Sequence, residues 1–214
     1  MIFIRPTPHI HYNMLKTKLC QVEIGADFTF FAIIAMFLAL DTTGLALMSL
    51  AVCLIHEAGH LIAMVLTGQK PGAIVFRGGG VKIIANSTHS AHSTNSVHPA
   101  QSPFVLLAGS GLNIALFLSL YFTLPKTDIY PVMFAVLNLV IGVFNLLPVG
   151  CLDGKRLLGL FLPEKLLRVI ETLALAAVVT AIIAAVVRGE VNFTIIAAII
   201  YIIIVDFFGN LCYA

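Results

Sequence analysis

Long apolar runs are the feature that most restricts the folds open to this chain. One run covers residues 45–66, and four more follow it, at 104–124, 131–147, 166–187 and 191–208. A helix needs about 20 mainly apolar residues to cross the hydrocarbon core of a bilayer. The chain is 60% hydrophobic and only 10% charged, whereas a soluble domain carries about 25% charged residues. The sequence therefore predicts an integral membrane protein.

A sixth and weaker candidate span precedes these five runs. Residues 28–40 are apolar but too short to cross, so a span there must also use residues 22–27. We predict an all-α polytopic membrane protein with about six transmembrane helices. The whole chain, 1–214, is expected to form one integral-membrane domain without a separate soluble domain, with core spans at about 45–66, 104–124 and 131–147.

The positions of lysine and arginine predict the orientation, because these residues are retained on the cytoplasmic side. An N-terminus inside the cell places ten of them there: Arg5, Lys16, Lys18, Lys70, Arg77, Lys82, Lys155, Arg156, Lys165 and Arg168. Only Lys126 and Arg188 then lie outside. Residues 1–21 lack a signal-peptide core, so the first span is expected to be retained. We expect a multi-pass protein of the cell membrane with both termini in the cytoplasm.

Three ionisable side chains, His56, Glu57 and His60, lie inside the apolar run 45–66. Such groups are costly at membrane depth, so we expect a metal, a wet cavity or a bundle interior to receive them. One helical turn separates His56 from His60, which places both imidazoles on one face. Glu57 is then close enough to reach a water held between them. This is the geometry of a zinc hydrolase; the alternative is a chance pattern of polar residues between packed helices.

A zinc hydrolase needs a third protein ligand and an open position for water. Asp153 is the best candidate, because it follows the broken segment Asn145-Leu-Leu-Pro-Val-Gly-Cys-Leu at the end of the fourth span. Pro148 and the neighbouring glycines disfavour helix there, so the chain can fold back into the bundle. In the predicted orientation Asp153 enters the bundle from its cytoplasmic end. His56 and His60 are expected to lie in the cytoplasmic half of their span, so the three side chains can meet there. The alternative is an Asp-Gly turn at the membrane surface.

With these residues the chain resembles the site-2 proteases, a family of intramembrane zinc metalloproteases. Both family signatures are present in the family's order: His-Glu-x-x-His at 56–60, and Asn-x-x-Pro-x-x-x-Leu-Asp-Gly beginning at Asn145. The resemblance implies that His56, His60 and Asp153 bind one zinc ion and that Glu57 is the catalytic base. It is strongest to the compact branch that includes the sporulation sigma-factor processing protease.

A third family element, Ala-Gly-Pro-x-x-Asn in the third span, is matched only in part. Residues 108–113 read Ala-Gly-Ser-Gly-Leu-Asn, with serine at position 110 where the family usually has proline. The resemblance makes Asn113 a candidate substrate-binding residue, on weaker grounds than the two signatures.

Two β-prone runs flank three glycines at 73–85. Gly78, Gly79 and Gly80 can supply the positive φ of a tight turn, so a short β-hairpin is predicted between the second and third spans. Our hypothesis is that this hairpin binds an unwound substrate by strand addition. The alternative is a surface hairpin that only links two helices.

The predicted reaction is metal-assisted hydrolysis of a peptide bond in or near the transmembrane segment of a single-span substrate. Asn145 could donate to the substrate backbone or to the developing oxyanion; equally, it could cap its helix or bond a neighbouring helix. Expected partners are the substrate, regulatory membrane proteins and the lipid bilayer. No nucleic-acid partner is expected: the net charge of +2 is uninformative, and membrane topology and anionic headgroups explain the basic residues better than a phosphate-binding patch, which would need clustering on one surface.

Two other functions compete with the protease. A divalent-metal transporter could line its pathway with the His-Glu-x-x-His helix, but such a pathway needs more ligands in neighbouring spans than this sequence provides. A non-catalytic membrane scaffold is the other. The remaining histidines and cysteines favour neither: His89, His92 and His98 lie in a polar loop, and no Cys-x-x-Cys occurs.

Overall fold

A computed structural model describes residues 14–19, 22–69, 71–77, 80–85, 102–125, 127–150 and 152–189. In these ranges the chain forms six helices and four strands. The helices are α1 (Phe28–Leu40), α2 (Leu45–Leu66), α3 (Pro103–Thr123), α4 (Ile129–Asn145), α5 (Asp153–Gly159) and α6 (Glu164–Val187). The strands are β1 (Met14–Leu19), β2 (Val22–Asp27), β3 (Pro71–Arg77) and β4 (Gly80–Ala85).

Among the described helices, α2 and α3 are long and apolar enough to cross a membrane, while α1 and α4 are shorter apolar helices. Large apolar side chains on their outer faces are exposed, including Leu54, Ile62, Phe122 and Val140. A helix that is apolar all round must be buried in protein or in lipid. The exposed apolar faces, with the composition, indicate a membrane protein.

The first predicted span is shorter than expected. Residues 22–27 form β2 instead of extending α1, and Asp27 then caps α1 by accepting a hydrogen bond from the Thr29 backbone N–H (3.5 Å). β2 pairs in parallel with the distant β3, with Ile24 opposite Ile74. Local apolarity cannot reveal such a pairing, because a six-residue run reads equally well as strand or helix. The prediction that residues 22–27 extend the first span was therefore wrong, and the sheet is larger than the single predicted hairpin.

The predicted hairpin is present as β3 and β4, which pair antiparallel with Phe76 opposite Val81. It belongs to a four-stranded sheet in the order β1-β2-β3-β4, so β4 is an edge strand. α1 packs against this sheet, and the rings of Phe30 and Phe76 lie 5.1 Å apart. Gly80 begins β4; Gly78 and Gly79 lie outside the described residues.

The core is the packing of α2, α3 and α4, which correspond to the predicted core spans. Small residues allow close approach: a Cβ added at Gly59 would lie 2.7 Å from the Ala108 carbonyl oxygen, and one at Gly142 would lie 3.1 Å from Asn113 Cβ. Helices associate closely in membranes through such residues. The buried apolar side chains on these helices are Val52, Ala63, Met64, Val105, Leu106 and Ala135.

After α4 the chain turns back, through residues 146–150 and 152 of the described part, into the short helix α5, against which α6 packs. α6 includes the predicted fifth span, 166–187. The predicted sixth span, 191–208, lies outside the described residues, as do His89, His92 and His98.

Candidate metal centre

α2 carries the first two candidate ligands on its buried face. The side chains of His56 and His60 are one turn apart, and the residues are 4% and 8% exposed. Gly59 lies on the same face and lets the backbone of α3 approach the imidazoles. The helical period predicted from the sequence therefore produces the shared face, and the α2–α3 packing buries it.

The third candidate ligand arrives from the turn after α4. Asp153 is the first residue of α5, and the polypeptide reaches it through a compact turn in which Gly150 has φ +55°. Gly154 permits the turn to close: a Cβ there would lie 2.0 Å from the Leu146 carbonyl oxygen. Asp153 is 7% exposed, so the fold-back into the bundle predicted from Pro148 and the glycines is observed.

Three ligand atoms converge at one point. Asp153 Oδ2 lies 3.0 Å from His56 Nε2 and 2.9 Å from His60 Nε2, and the two Nε2 atoms are 3.1 Å apart. Ligand atoms at the usual zinc distances in a tetrahedral site are separated by about 3.3 Å. The three atoms here lie a few tenths of an ångström closer together than that. This buried group could hold one metal ion.

The tautomer of His60 strengthens this conclusion. His60 Nδ1 lies 2.7 Å from the Val105 carbonyl oxygen, a geometry in which the Nδ1–H donates to that oxygen. The neutral ring then presents an Nε2 lone pair to the other two ligand atoms. One proton can bridge only two of three converging acceptors, whereas a cation interacts with all three. Zinc sites commonly fix a histidine ligand with such a hydrogen bond from its other nitrogen.

Gly109 completes the pocket and was not among the predicted site residues. A Cβ at this position would lie 2.5 Å from His60 Nε2 and 2.8 Å from His56 Nε2. Only a residue without a side chain leaves this room on α3. The Val105 carbonyl was missed too, because a backbone acceptor carries no signal in side-chain sequence. A glycine inside an apolar helix was the available signal, since it weakens the helix and commonly marks a close approach.

The two predicted catalytic residues lie on helices of this centre. Glu57 follows His56 on α2 and is partly buried. Asn145 is the last residue of α4, also partly buried, and its amide Nδ2 donates to the Ile141 carbonyl oxygen of its own helix (2.9 Å). The second N–H of this amide is not used in that bond.

Asn113 lies deeper in the same bundle. It is 0% exposed, on the face of α3 that includes Gly109, one turn further along the helix. Among the described residues neither of its amide atoms has a hydrogen-bond partner. The neighbouring Ser110 Oγ and the Oδ1 of Asn138 on α4 are also buried without a partner there. Ser110 stood out in the sequence only as a departure from the family motif, and Asn138 did not stand out; both extend a polar interior beyond the three ligands.

Comparison with known proteins identifies the fold. Over 90% of its length the chain superposes on 93% of the site-2 protease from Methanocaldococcus jannaschii, with a TM-score of 0.55 and 16% sequence identity. No protein-family model matches the chain, and no curated protein sequence matches it. The chain therefore has a site-2-protease-like fold, and this fold surrounds a buried His-His-Asp group.

Proposed function

We propose that this chain is an intramembrane zinc metalloendopeptidase of the site-2 protease type. The observation that carries the proposal is the convergence of His56, His60 and Asp153 within 3.1 Å of one another in a buried site. The site-2-protease-like fold supports it, because in this fold Asp153 reaches the two histidines of the chain from a sequence position almost a hundred residues away.

His56, His60 and Asp153 would hold the ion, and a set of three protein ligands, which would leave a fourth position for water, is characteristic of a catalytic rather than a structural zinc site. The bound ion supplies Lewis acidity toward the scissile carbonyl and toward a water molecule. Glu57 lies beside both histidines on α2, and its carboxylate accepts a proton from the attacking water. The same carboxyl group then gives the proton to the nitrogen of the leaving amine as the peptide bond breaks.

Asn145 is proposed to donate its free amide N–H to the substrate carbonyl. The bond from its Nδ2 to the Ile141 carbonyl oxygen holds the side chain in one orientation, which supports this role. A fixed donor needs little reorganisation during reaction, and removing one such donor commonly costs about a hundredfold in kcat.

The substrate is proposed to be a single-span membrane protein whose transmembrane segment unwinds near the site. β4 supports binding by strand addition, because an edge strand carries unpaired backbone donors and acceptors. Gly78, Gly79 and Gly80 remain proposed substrate-binding residues at the approach to β4, and Asn113 remains a proposed contact deeper in the bundle. Because Asn113 is fully buried, contact with substrate requires α2, α3 and α4 to separate there.

Strand addition is tested by proline substitution at two successive positions, Val81 and Lys82. Successive backbone N–H groups in a strand point to opposite sides. One variant therefore removes a donor on the free edge, and the other removes a donor facing β3. We expect the edge-facing proline to reduce cleavage while the sheet stays intact. Equal cleavage by that variant and wild type would argue against backbone pairing.

The membrane orientation and the branch of the family are proposals of the same kind. The lysine and arginine distribution supports cytoplasmic termini in the cell membrane, with the metal centre toward the cytoplasmic side. Apart from residues 67–102 between α2 and α3, the connections between successive described helices are short, which supports a compact enzyme similar to the sporulation sigma-factor processing protease. Such an enzyme would depend on membrane partners for regulation.

Substitution of Glu57 by Gln tests the function directly. Glu57→Gln is expected to keep one zinc ion per chain, measured by elemental analysis of detergent-purified protein, and to lose cleavage. Comparing membrane proteomes of cells with wild type and with Glu57→Gln then identifies the substrate as an uncleaved single-span protein. Full cleavage by Glu57→Gln would refute the general base. Zinc flux through proteoliposomes that persists in the variant would favour a transporter.

A further inference from the structure

Glu171 on α6 joins two points of the segment that carries Asp153. Its carboxylate Oε1 accepts a hydrogen bond from the backbone N–H of Gly150 (3.1 Å) and a second from the Lys155 ammonium. Gly150 lies three residues before Asp153, and Lys155 lies two residues after it. One carboxylate oxygen of Glu171 thus accepts hydrogen bonds from a residue before Asp153 in the chain and from a residue after it.

The backbone conformation at Gly150 makes this contact specific. Its φ of +55° is in the left-handed region, which residues with a side chain adopt at a cost. In this turn the Gly150 N–H is bonded to Glu171. Without this acceptor the buried Gly150 N–H would lose this partner, and a buried donor without a partner destabilises the fold. The carboxylate of Glu171 therefore stabilises the turn that delivers Asp153.

The ion pair with Lys155 is largely shielded from solvent. Its side chains are 19% and 16% exposed, in contrast with the Glu164–Arg168 pair on the same helix, at 76% and 73%. Exposed pairs of the second kind contribute little to stability. Charge-assisted hydrogen bonds between shielded groups are stronger and hold their partners in one geometry. Glu171 and Lys155 together also connect α6 to α5, which begins at Asp153.

We propose that Glu171 is a positioning residue of the metal centre: it fixes the 150–155 segment so that Asp153 Oδ2 meets both histidines. This inference rests on the proposed metal centre, but it concerns residues outside the ligand set. A histidine ligand is oriented by a hydrogen bond to its ring, whereas Glu171 would act on Asp153 through the backbone of its segment, in addition to the Arg156 guanidinium 3.7 Å from Asp153 Oδ1. Glu171 lies on the next helix.

A role of Glu171 in packing alone would have other consequences than a positioning role. If Glu171 served only to pack α6, its loss would lower thermal stability without a selective effect on the ion. A positioning role predicts weaker metal binding even where the fold persists. Supporting residues of this type commonly contribute 10- to 100-fold to metal affinity.

The experiment compares Glu171→Ala and Glu171→Gln with the control Glu164→Ala, which breaks the exposed ion pair on the same helix. Zinc affinity of each full-length variant in detergent is measured by chelator competition, and the cobalt-substituted protein reports ligand geometry by its visible absorption. Glu171→Ala is expected to bind zinc about tenfold more weakly or worse, with an altered cobalt spectrum. Glu171→Gln keeps an acceptor for Gly150 and should fall between Ala and wild type. Glu164→Ala should match wild type.

Each outcome decides between the alternatives. Wild-type affinity and an unchanged cobalt spectrum in Glu171→Ala would overturn the positioning role and leave the metal centre intact. A wild-type protein without stoichiometric zinc would refute the metal centre, and the positioning role with it. If Glu171→Ala does not fold, Glu171→Asp takes its place, since it keeps the charge but withdraws the carboxylate by one methylene from both Gly150 and Lys155. Wild-type zinc affinity in folded Glu171→Asp would then overturn the proposal.

Discussion

Substitution of Gly109 by Ala tests how closely α3 must approach the metal ligands. The new Cβ would lie 2.5 Å from His60 Nε2 and 2.8 Å from His56 Nε2. Restoring an ordinary contact of 3.4 Å to His60 requires a displacement of about 0.9 Å, whereas a functional metal site tolerates about 0.2 Å in its ligand distances. Either α3 moves away from α2 or the imidazoles leave the site. Both responses separate the three ligand atoms.

The sign of the stability change distinguishes this steric effect from helix propensity. Alanine in place of glycine within a helix is ordinarily favourable by about 1 kcal/mol. Gly111 on the same helix provides the control, because a Cβ there meets nothing within 4 Å. Gly111→Ala should therefore gain stability and keep zinc. Gly109→Ala should lose stability by about 1–3 kcal/mol from overpacking and bind zinc at least about tenfold more weakly.

The assay is thermal unfolding in detergent together with zinc affinity from chelator competition, both on full-length protein. The comparison of the two alanine variants removes effects of helix propensity. If Gly109→Ala is as stable as Gly111→Ala and binds zinc as tightly as wild type, the inferred close approach of α3 to the metal ligands is refuted.

Three further predictions concern the turn, the ion and the start of α2. Gly154→Ala places a Cβ 2.0 Å from the Leu146 carbonyl oxygen and should abolish zinc binding, whereas Gly159→Ala makes only a 3.5 Å contact with a leucine side chain and should retain it, as elemental analysis will show. Removal of zinc by a chelator should lower the thermal midpoint of wild type but not of Asp153→Ala; at a free zinc concentration of 100 times Kd the ion contributes about 2.7 kcal/mol. Hydrogen bonds from Thr43 lower the pKa of Asp41 below its ordinary value of 3.8. The stabilising contribution of Asp41 is therefore present above that pH and is lost as the pH falls through the lowered pKa. The free energy of unfolding should accordingly fall less on acidification in Asp41→Ala than in wild type.

Some of the metal centre was predictable because its determinants are local. The spacing of His56 and His60 and the period of the helix place them on one face, whatever the rest of the fold. The breaks around Pro148 and Gly150 likewise predicted a turn before Asp153. The roles of Glu57 and Asn145 remain predictions, since their distances to a substrate depend on a complex with it.

Other elements depend on residues far apart in the chain. β2 was interpreted as the start of a span because its partner, β3, comes after two intervening helices. Gly109, the Val105 carbonyl and Glu171 were not identified as parts of the site for the same reason. Each contacts a residue on another element of the fold, and the local periodicity of a sequence does not reveal that contact.

The sequence by itself determined the class of protein and which side chains are available for chemistry: too few charges for a soluble surface, apolar runs of membrane length, and two imidazoles with a carboxylate beside them. Only the tertiary structure decided that Asp153 meets both histidines, that a glycine on α3 makes room for them, and that a carboxylate on α6 holds the turn. Side-chain type and helical period are local properties. Convergence within about 3 Å of segments nearly a hundred residues apart depends on how the helices pack.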